Sequence, residues 1–259
     1  MRNCLILGSG RSGTSMVAGI LHQANYFMGD RLYRPMESNP RGFFEWMEIT
    51  QINEGILANY GDGRSLPALL SKKIFKKRTI RNPGQNQRWL LLLPPQVQVT
   101  NFDTTIKERI ERVVRQGPFC YKDPRFSYTL PVWKRFLSPD TVFICVFREV
   151  NVTVESILKE CRTREYLRNF KINRRDAYRV WGAIYRHILG HWAHQRERFF
   201  FVHYRQIYDG SGLPGLADFL EADLKRDFVD PHLKRTVSTA MVPESEQKTY
   251  DRLCQLADF

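Results

Sequence analysis

No C-x-x-C pair occurs in this 259-residue chain, and its cysteines are few and odd in number: Cys4, Cys120, Cys145, Cys161 and Cys254. That count supplies neither a zinc-ribbon ligand set nor a complete disulfide framework. Cys4, Cys120 and Cys145 sit in or beside apolar runs, which predicts reduced core thiols and a reducing compartment. Zinc-finger spacing and RNP-type aromatic motifs are also missing, so the net charge of +13 is not read as a nucleic-acid footprint. An anionic nucleotide, an acidic polymer or a membrane surface could each use such a charge. Long hydrophobic runs are absent too. Trp89–Leu93 and Val142–Phe147 fall far short of the roughly 20 residues a bilayer requires. A glycine-rich motif starts at residue 8, which leaves no room for a secretory leader ahead of it, and the expectation is a cytoplasmic protein without a transmembrane segment. What remains, 42% hydrophobic and 13% aromatic residues, is the composition of a globular protein rather than a disordered one.

One further absence is the most informative. Gly8-Ser9-Gly10-Arg11-Ser12-Gly13-Thr14-Ser15 follows the apolar run Cys4–Leu7 and leads into the helical pattern Met16–Leu21. Strand, glycine-rich turn and helix form a phosphate cradle, in which backbone N–H groups and the helix dipole converge on an anion. The spacing is that of a Walker A loop, but Thr14 stands where the lysine belongs, and the cation has moved into the loop as Arg11. No Walker B partner is evident for Ser15. The loop therefore reads as a phosphate site without NTPase chemistry.

Strand-like runs recur at 4–7, 119–121, 142–147 and 199–203, alternating with helical patterns at 14–25, 44–59, 104–116, 128–137, 152–161 and 173–196. This predicts an α/β fold, a three-layer sandwich with a central parallel sheet and a P-loop-like phosphate-binding loop, in a single domain over 1–259. Residues 62–101 interrupt the pattern with Lys72, Lys73, Lys76, Lys77, Arg78, Arg81 and Arg88 among Pro-Gly and Pro-Pro turns. They read as a basic insertion, either a solvated surface excursion or a lid over an acceptor site.

A second constellation lies downstream. The buried-strand pattern Val142–Phe147 ends in Arg148, at the carboxyl edge where open α/β sheets bind ligands, and Ser156 follows in the first turns of the next helix. An arginine fork and a hydroxyl so spaced can share one phosphate. A local salt bridge and a helix serine bonding its own backbone is the plainer reading of the same pair.

Together, the loop Gly8–Ser15 and the Arg148/Ser156 pair resemble the PAPS-dependent sulfotransferase family. Asn39–Glu45, Lys122-Asp123-Pro124-Arg125 and Phe201–Tyr204 are similar to segments of its bacterial and tyrosylprotein-type members. The resemblance spans residue 4 to about 235, outside the basic insertion. It implies that Ser9, Gly10, Arg11, Ser12, Gly13, Thr14 and Ser15 hold the 5′-phosphosulfate of 3′-phosphoadenosine-5′-phosphosulfate (PAPS). It implies also that Arg148 and Ser156 hold the 3′-phosphate, and that the product is 3′,5′-ADP with no metal required. Arg11 is expected to face the phosphosulfate and Lys122 to stabilise the leaving oxygen. For Lys122 the alternative is a surface lysine paired with Asp123. Glu45 is expected to be the base, with Phe43 and Phe44 excluding water beside it, and Glu37 and Glu48 are rivals. Two positions depart from the family's usual pattern: Glu149-Val150 replaces Asp/Asn-Pro after the strand-end arginine, and Arg205 replaces an acidic residue after the late tyrosine.

Two other clusters carry less. His187, His191 and His194 share a helix face, but no carboxylate or cysteine completes a metal set there. Arg162, Arg164, Arg168, Arg174, Arg175, Arg179 and Arg186 are interleaved with aromatics, either as a solvated face or as a groove for an anionic or carbohydrate acceptor. The expected partners are PAPS and a hydroxyl-bearing acceptor (carbohydrate, lipid or secondary metabolite), not nucleic acid. A nucleotide kinase and a non-catalytic nucleotide- or polyanion-binding module are the competing readings. The acceptor and the oligomeric state are not legible.

Overall fold

The computed structural model describes residues 1–37, 39–61, 83–230 and 236–259. Four strands, β1 (Cys4–Leu7), β2 (Cys120–Lys122), β3 (Val142–Phe147) and β4 (Phe199–His203), form one parallel sheet in the order β2-β1-β3-β4. The register aligns Cys4 with both Cys120 and Val142, and Phe143 with Phe199. Both faces are covered, so the strands are apolar except for Lys122 and His203 at the carboxyl ends of β2 and β4, and alternation shows only in which layer each residue joins. Leu5, Leu7, Tyr121, Phe143, Cys145 and Phe147 enter the larger core. Cys4, Ile6, Cys120, Val142, Ile144 and Val146 enter the smaller one.

The larger core is completed by α2 (Met47–Gly61), α3 (Thr104–Val113), α4 (Phe126–Trp133), α5 (Val150–Thr163), α6 (Arg174–Trp192) and α9 (Glu244–Ala257). The smaller is completed by α1 (Thr14–Gln23), α7 (Tyr204–Asp209) and α8 (Leu213–Leu220). This is the three-layer sandwich expected from the alternating pattern. The described cysteines are unpaired thiols, and burial pushes Cys145 and Cys4 well above the usual thiol range.

Four differences from the sequence reading bear on the site and the core. β2 runs one residue further, so Lys122 is a strand residue and not the start of a loop. α2 begins at Met47 rather than at residue 44. The stretch before it is extended, with Leu32 bridged to Trp46 and Phe44 in the left-handed region (φ 54°), so Glu45 precedes the helix and is not one turn from Glu48 on it. α9 was not anticipated; its tyrosine and leucines are spaced among charges, and it docks on α6 and β4.

The fourth concerns 62–101. Lys72, Lys73, Lys76, Lys77, Arg78 and Arg81 lie outside the described residues. The remainder, 83–101, is not a solvated excursion: Trp89, Leu90, Leu91, Leu93, Val97 and Val99 are all buried in the larger core. The one basic residue of that stretch noted from sequence, Arg88, is neutralised by the buried Glu54 at 2.6 Å. The apolar run Trp89–Leu93 outweighs the local charge because burying such side chains is worth about 1.5–3 kcal/mol each.

Candidate active site

The Gly8–Ser15 loop joins β1 to α1 at the carboxyl edge of the sheet. Gly13, the residue before α1, takes φ 92°, and a Cβ there would lie 2.3 Å from the Tyr204 ring. Gly10 packs against Trp89, where a Cβ would come within 2.7 Å. Arg11 has a left-handed backbone (φ 72°) without being glycine, a conformation that persists only where surroundings enforce it. The enforcement comes partly from α6. The Tyr185 hydroxyl accepts from the Ser9 amide at 3.1 Å, donates to the Val146 carbonyl at 2.8 Å and stands 2.9 Å from Ser12 Oγ. Ser127 Oγ accepts from the Gly8 amide at 3.2 Å.

Lys122, at the end of β2, is 3% exposed in its side chain and contacts Glu45, while its ammonium also donates to Ser15 Oγ at 3.3 Å. The alternative reading, a surface lysine paired with Asp123, is therefore overturned. Asp123 instead accepts from Thr50 Oγ1 at 2.9 Å, from the Arg125 amide at 2.8 Å and from the Arg125 guanidinium at 3.2 Å. Arg125 also donates to Glu54 at 2.6 Å. This buried network fixes the Lys122–Arg125 segment against α2, leaving Lys122 directed at the loop.

Of the three carboxylates, Glu45 and Glu37 line the cleft described below. Glu48 is gripped by both nitrogens of the Arg109 fork at 2.8 and 2.9 Å, and those bonds hold its carboxyl below the usual range. Phe44 is buried against His22 and Phe228 behind Glu45, and Phe43 faces the cleft.

On the other side of the loop, Arg11 reaches α5. Its Nε donates to Ser156 Oγ at 3.0 Å, and Nη1 stands 3.8 Å from Glu160. The cation read as facing the phosphosulfate thus has its guanidinium at the serine read as holding the 3′-phosphate. Arg148 lies with its guanidinium 4.5 Å over the Tyr204 ring, donates to the Thr236 carbonyl at 3.3 Å, and has Nε 3.6 Å from Glu149. The two departures from the family pattern meet here: Arg205 pairs with Glu149 at 2.5 Å. Glu149 leads into α5 from an extended conformation (φ −45°, ψ 130°), so the turn forms without proline. His203, fully buried and 3.8 Å from Glu149, is pushed down to about 4, chiefly by loss of hydration.

One open cleft of about 1140 Å³ collects these groups. Its walls include Gly10, Arg11, Gly13, Thr14, Ser15, Glu45, Lys122, Arg148 and Ser156, together with Trp89, Tyr166, Tyr204 and Phe228. Ser9 and Ser12 are turned inward to the fold beneath it. Tyr185, Trp89 and Tyr204 were missed as site residues. Each acts through the folded neighbourhood of the loop, and no local spacing signals that.

His187 packs edge-on to Tyr128, and burial pushes it down to about 4. His191 Nε2 lies 3.0 Å from the Pro95 carbonyl. Among the described residues no group of three or more His, Cys, Asp or Glu could hold a metal ion, and no helix is long and apolar enough to cross a membrane. Arg162, Arg164, Arg168, Arg174, Arg179 and Arg186 are each ion-paired to a carboxylate, and the Arg164–Glu160 pair is largely buried beside the cleft.

Residues 4–210 match the sequence profile of the sulfotransferase family. No protein of curated function matches the sequence directly. Among solved structures, the sulfotransferase domain from the curacin biosynthetic pathway superposes with a TM-score of 0.51 at 16% identity, covering 98% of each chain. A sulfotransferase from Alicyclobacillus acidocaldarius gives 0.41 at 12% identity, over 100% of this chain and 96% of that one. Retinol dehydratase, solved with androsterone and the inactive cofactor PAP, gives 0.35 at 16% identity, over 98% and 65%. At these identities the first likeness bears on fold alone.

Proposed function

The chain belongs to the sulfotransferase family, and from that premise we propose that it transfers the sulfuryl group of PAPS to a hydroxyl of an acceptor. Carbohydrates, lipids and secondary metabolites are the acceptor classes. The observation that carries the reading is the convergence, in one cleft, of a glycine loop at a helix start, the Arg148/Ser156 wall and the Lys122–Glu45 contact. The donor set suits a doubly phosphorylated nucleotide: backbone N–H groups and hydroxyls at one end, and an arginine fork with a serine at the other. The buried, unpaired thiols suit a reducing cytoplasmic setting.

PAPS supplies an activated sulfuryl group on a phosphate oxygen. The chain's task is to align the acceptor oxygen with sulfur, take the acceptor's proton, and hold the charge that grows on the departing phosphate oxygen. Glu45 receives the proton as the new S–O bond forms and the old one breaks. Lys122, placed between Glu45 and Ser15, meets the charge on the leaving oxygen of 3′,5′-ADP. Arg11 and Arg148 hold the nucleotide, and no step calls for a metal.

A thermal-shift titration tests this. Saturating 3′,5′-ADP without metal should raise Tm by several degrees, since ligand at about 100 Kd adds roughly 2.7 kcal/mol to stability. Stabilisation by ATP–Mg²⁺ alone would turn the assignment to a kinase. Where 3′,5′-ADP binds, radiolabelled PAPS offered with an acceptor panel identifies the hydroxyl.

A further inference from the structure

α5 presents Ser156 and Glu160, one turn apart, to the nucleotide end of the cleft. A carboxylate is an unexpected lining for a phosphate site. Glu160 is 5% exposed, and a buried carboxylate persists only with cationic partners. It has one on each side: Oε2 is 3.8 Å from Arg11 Nη1, and Oε1 is 3.3 Å from Arg164 Nε. Arg11 in turn donates to Ser156 at 3.0 Å. The loop's only cation is therefore held at the place where a 3′-phosphate would take Ser156 and Arg148, by an anion that the incoming phosphate must approach.

We propose that Glu160 sets how strongly the protein distinguishes a 3′-phosphorylated adenosine nucleotide from one without that phosphate. This rests on the reading of the cleft as a PAPS site. Glu160 orients the Arg11 guanidinium toward Ser156 in advance and competes with the 3′-phosphate for it. The arginine then changes partner from carboxylate to phosphate on binding, and Arg164 keeps Glu160 paired when it does. Binding is weakened by the lost Arg11–Glu160 attraction and by repulsion between two anions at close range. A grip limited in this way lets 3′,5′-ADP, which carries the same phosphate as the donor, leave after each turnover.

The test compares dissociation constants for 3′,5′-ADP and 5′-AMP, measured by calorimetry on the full chain. Their ratio isolates the 3′-phosphate. Glu160→Gln keeps the shape and removes the charge, and is expected to tighten 3′,5′-ADP about tenfold while 5′-AMP changes less than twofold. Arg164→Gln removes the second cationic partner of Glu160, strengthens its hold on Arg11 and should move the ratio the other way, about threefold. It also supplies the answer if Glu160→Gln does not fold. A wild-type preference for 3′,5′-ADP that neither variant alters overturns the role of Glu160 and leaves the sulfotransferase reading standing. A wild-type protein without any preference overturns both. Equal changes for the two ligands would mark Glu160 as a structural residue only and sink the proposal.

Discussion

At the scale of single residues, the reacting end of the site is organised by one short-range ionic contact whose two members have different tasks. Glu45 and Lys122 touch, yet one is assigned the proton and the other the leaving oxygen. Their variants should separate accordingly. Glu45→Gln removes a positioned base, an effect of about 10²- to 10⁴-fold, so turnover should fall by that range while 3′,5′-ADP affinity stays nearly intact. If turnover survives in this variant and collapses in Glu37→Gln, Glu37 is the base. Lys122→Ala should cost about 3 kcal/mol of barrier, the usual loss for one donor aimed at developing charge, read as a fall in kcat near a hundredfold. Because Lys122 is almost fully buried against Glu45, its removal also strands a carboxylate, so some loss of Tm should accompany the loss of rate.

At the scale of elements, the turn from β3 into α5 shows how a chain can dispense with a usual sequence feature. Glu149 replaces an expected Asp or Asn, and Arg205 replaces an expected acid, and the two form a pair between the β3–α5 turn and α7. Neither substitution reveals its partner, since 56 positions separate them and only the packing of β4 beside β3 brings them together. Arg205 is 63% exposed, so the pair is worth no more than about 1 kcal/mol. Arg205→Ala should thus weaken 3′,5′-ADP less than about fivefold. Arg148→Ala, which removes the fork itself, should weaken it by tens of fold and spare 5′-AMP; equal losses for both nucleotides would remove Arg148 from the 3′-phosphate. The same distinction explains what was legible in the sequence. The loop Gly8–Ser15, the strand Val142–Phe147 and its terminal Arg148 are written in consecutive residues, with period and glycine placement as their signals. Glu45's position ahead of α2 depends on Phe44 adopting a left-handed backbone against His22 and Phe228, a tertiary override of the helical pattern. The Tyr185 buttress and the burial of Trp89–Leu93 likewise arise from contacts between distant segments.

At the scale of the whole molecule, stability should depend on pH through two histidines that the fold keeps dry. His187 lies on α6 against the Tyr128 ring, with His191 and Arg186 beside it, and burial followed by His191 pushes it down to about 4. His203 at the end of β4 is pushed down to about 4 mainly by burial, although Glu149 partly opposes that. In the unfolded chain both titrate near the ordinary value of about 6.5. Below that value the unfolded state binds a proton that the folded state refuses, so the stabilising contribution is complete above about pH 6.5 and is lost as pH falls toward 4. Each histidine accounts for a loss on the order of 3 kcal/mol by the lower end of that window. Glu48, Asp140 and Asp209, whose carboxyls are held below their usual range, add their losses only as the pH falls through that range and lower, so they do not mask the histidine step near pH 6. Tm should therefore be flat above pH 7 and fall between pH 6.5 and 4, by roughly 2–4 °C for each kcal/mol. His187→Gln cannot take up that proton, and its acid limb should be shallower than the wild type's by about half. A variant whose Tm falls as steeply as the parent's would show that His187 is protonated in the folded state, and that the packing between α4 and α6 admits a charge.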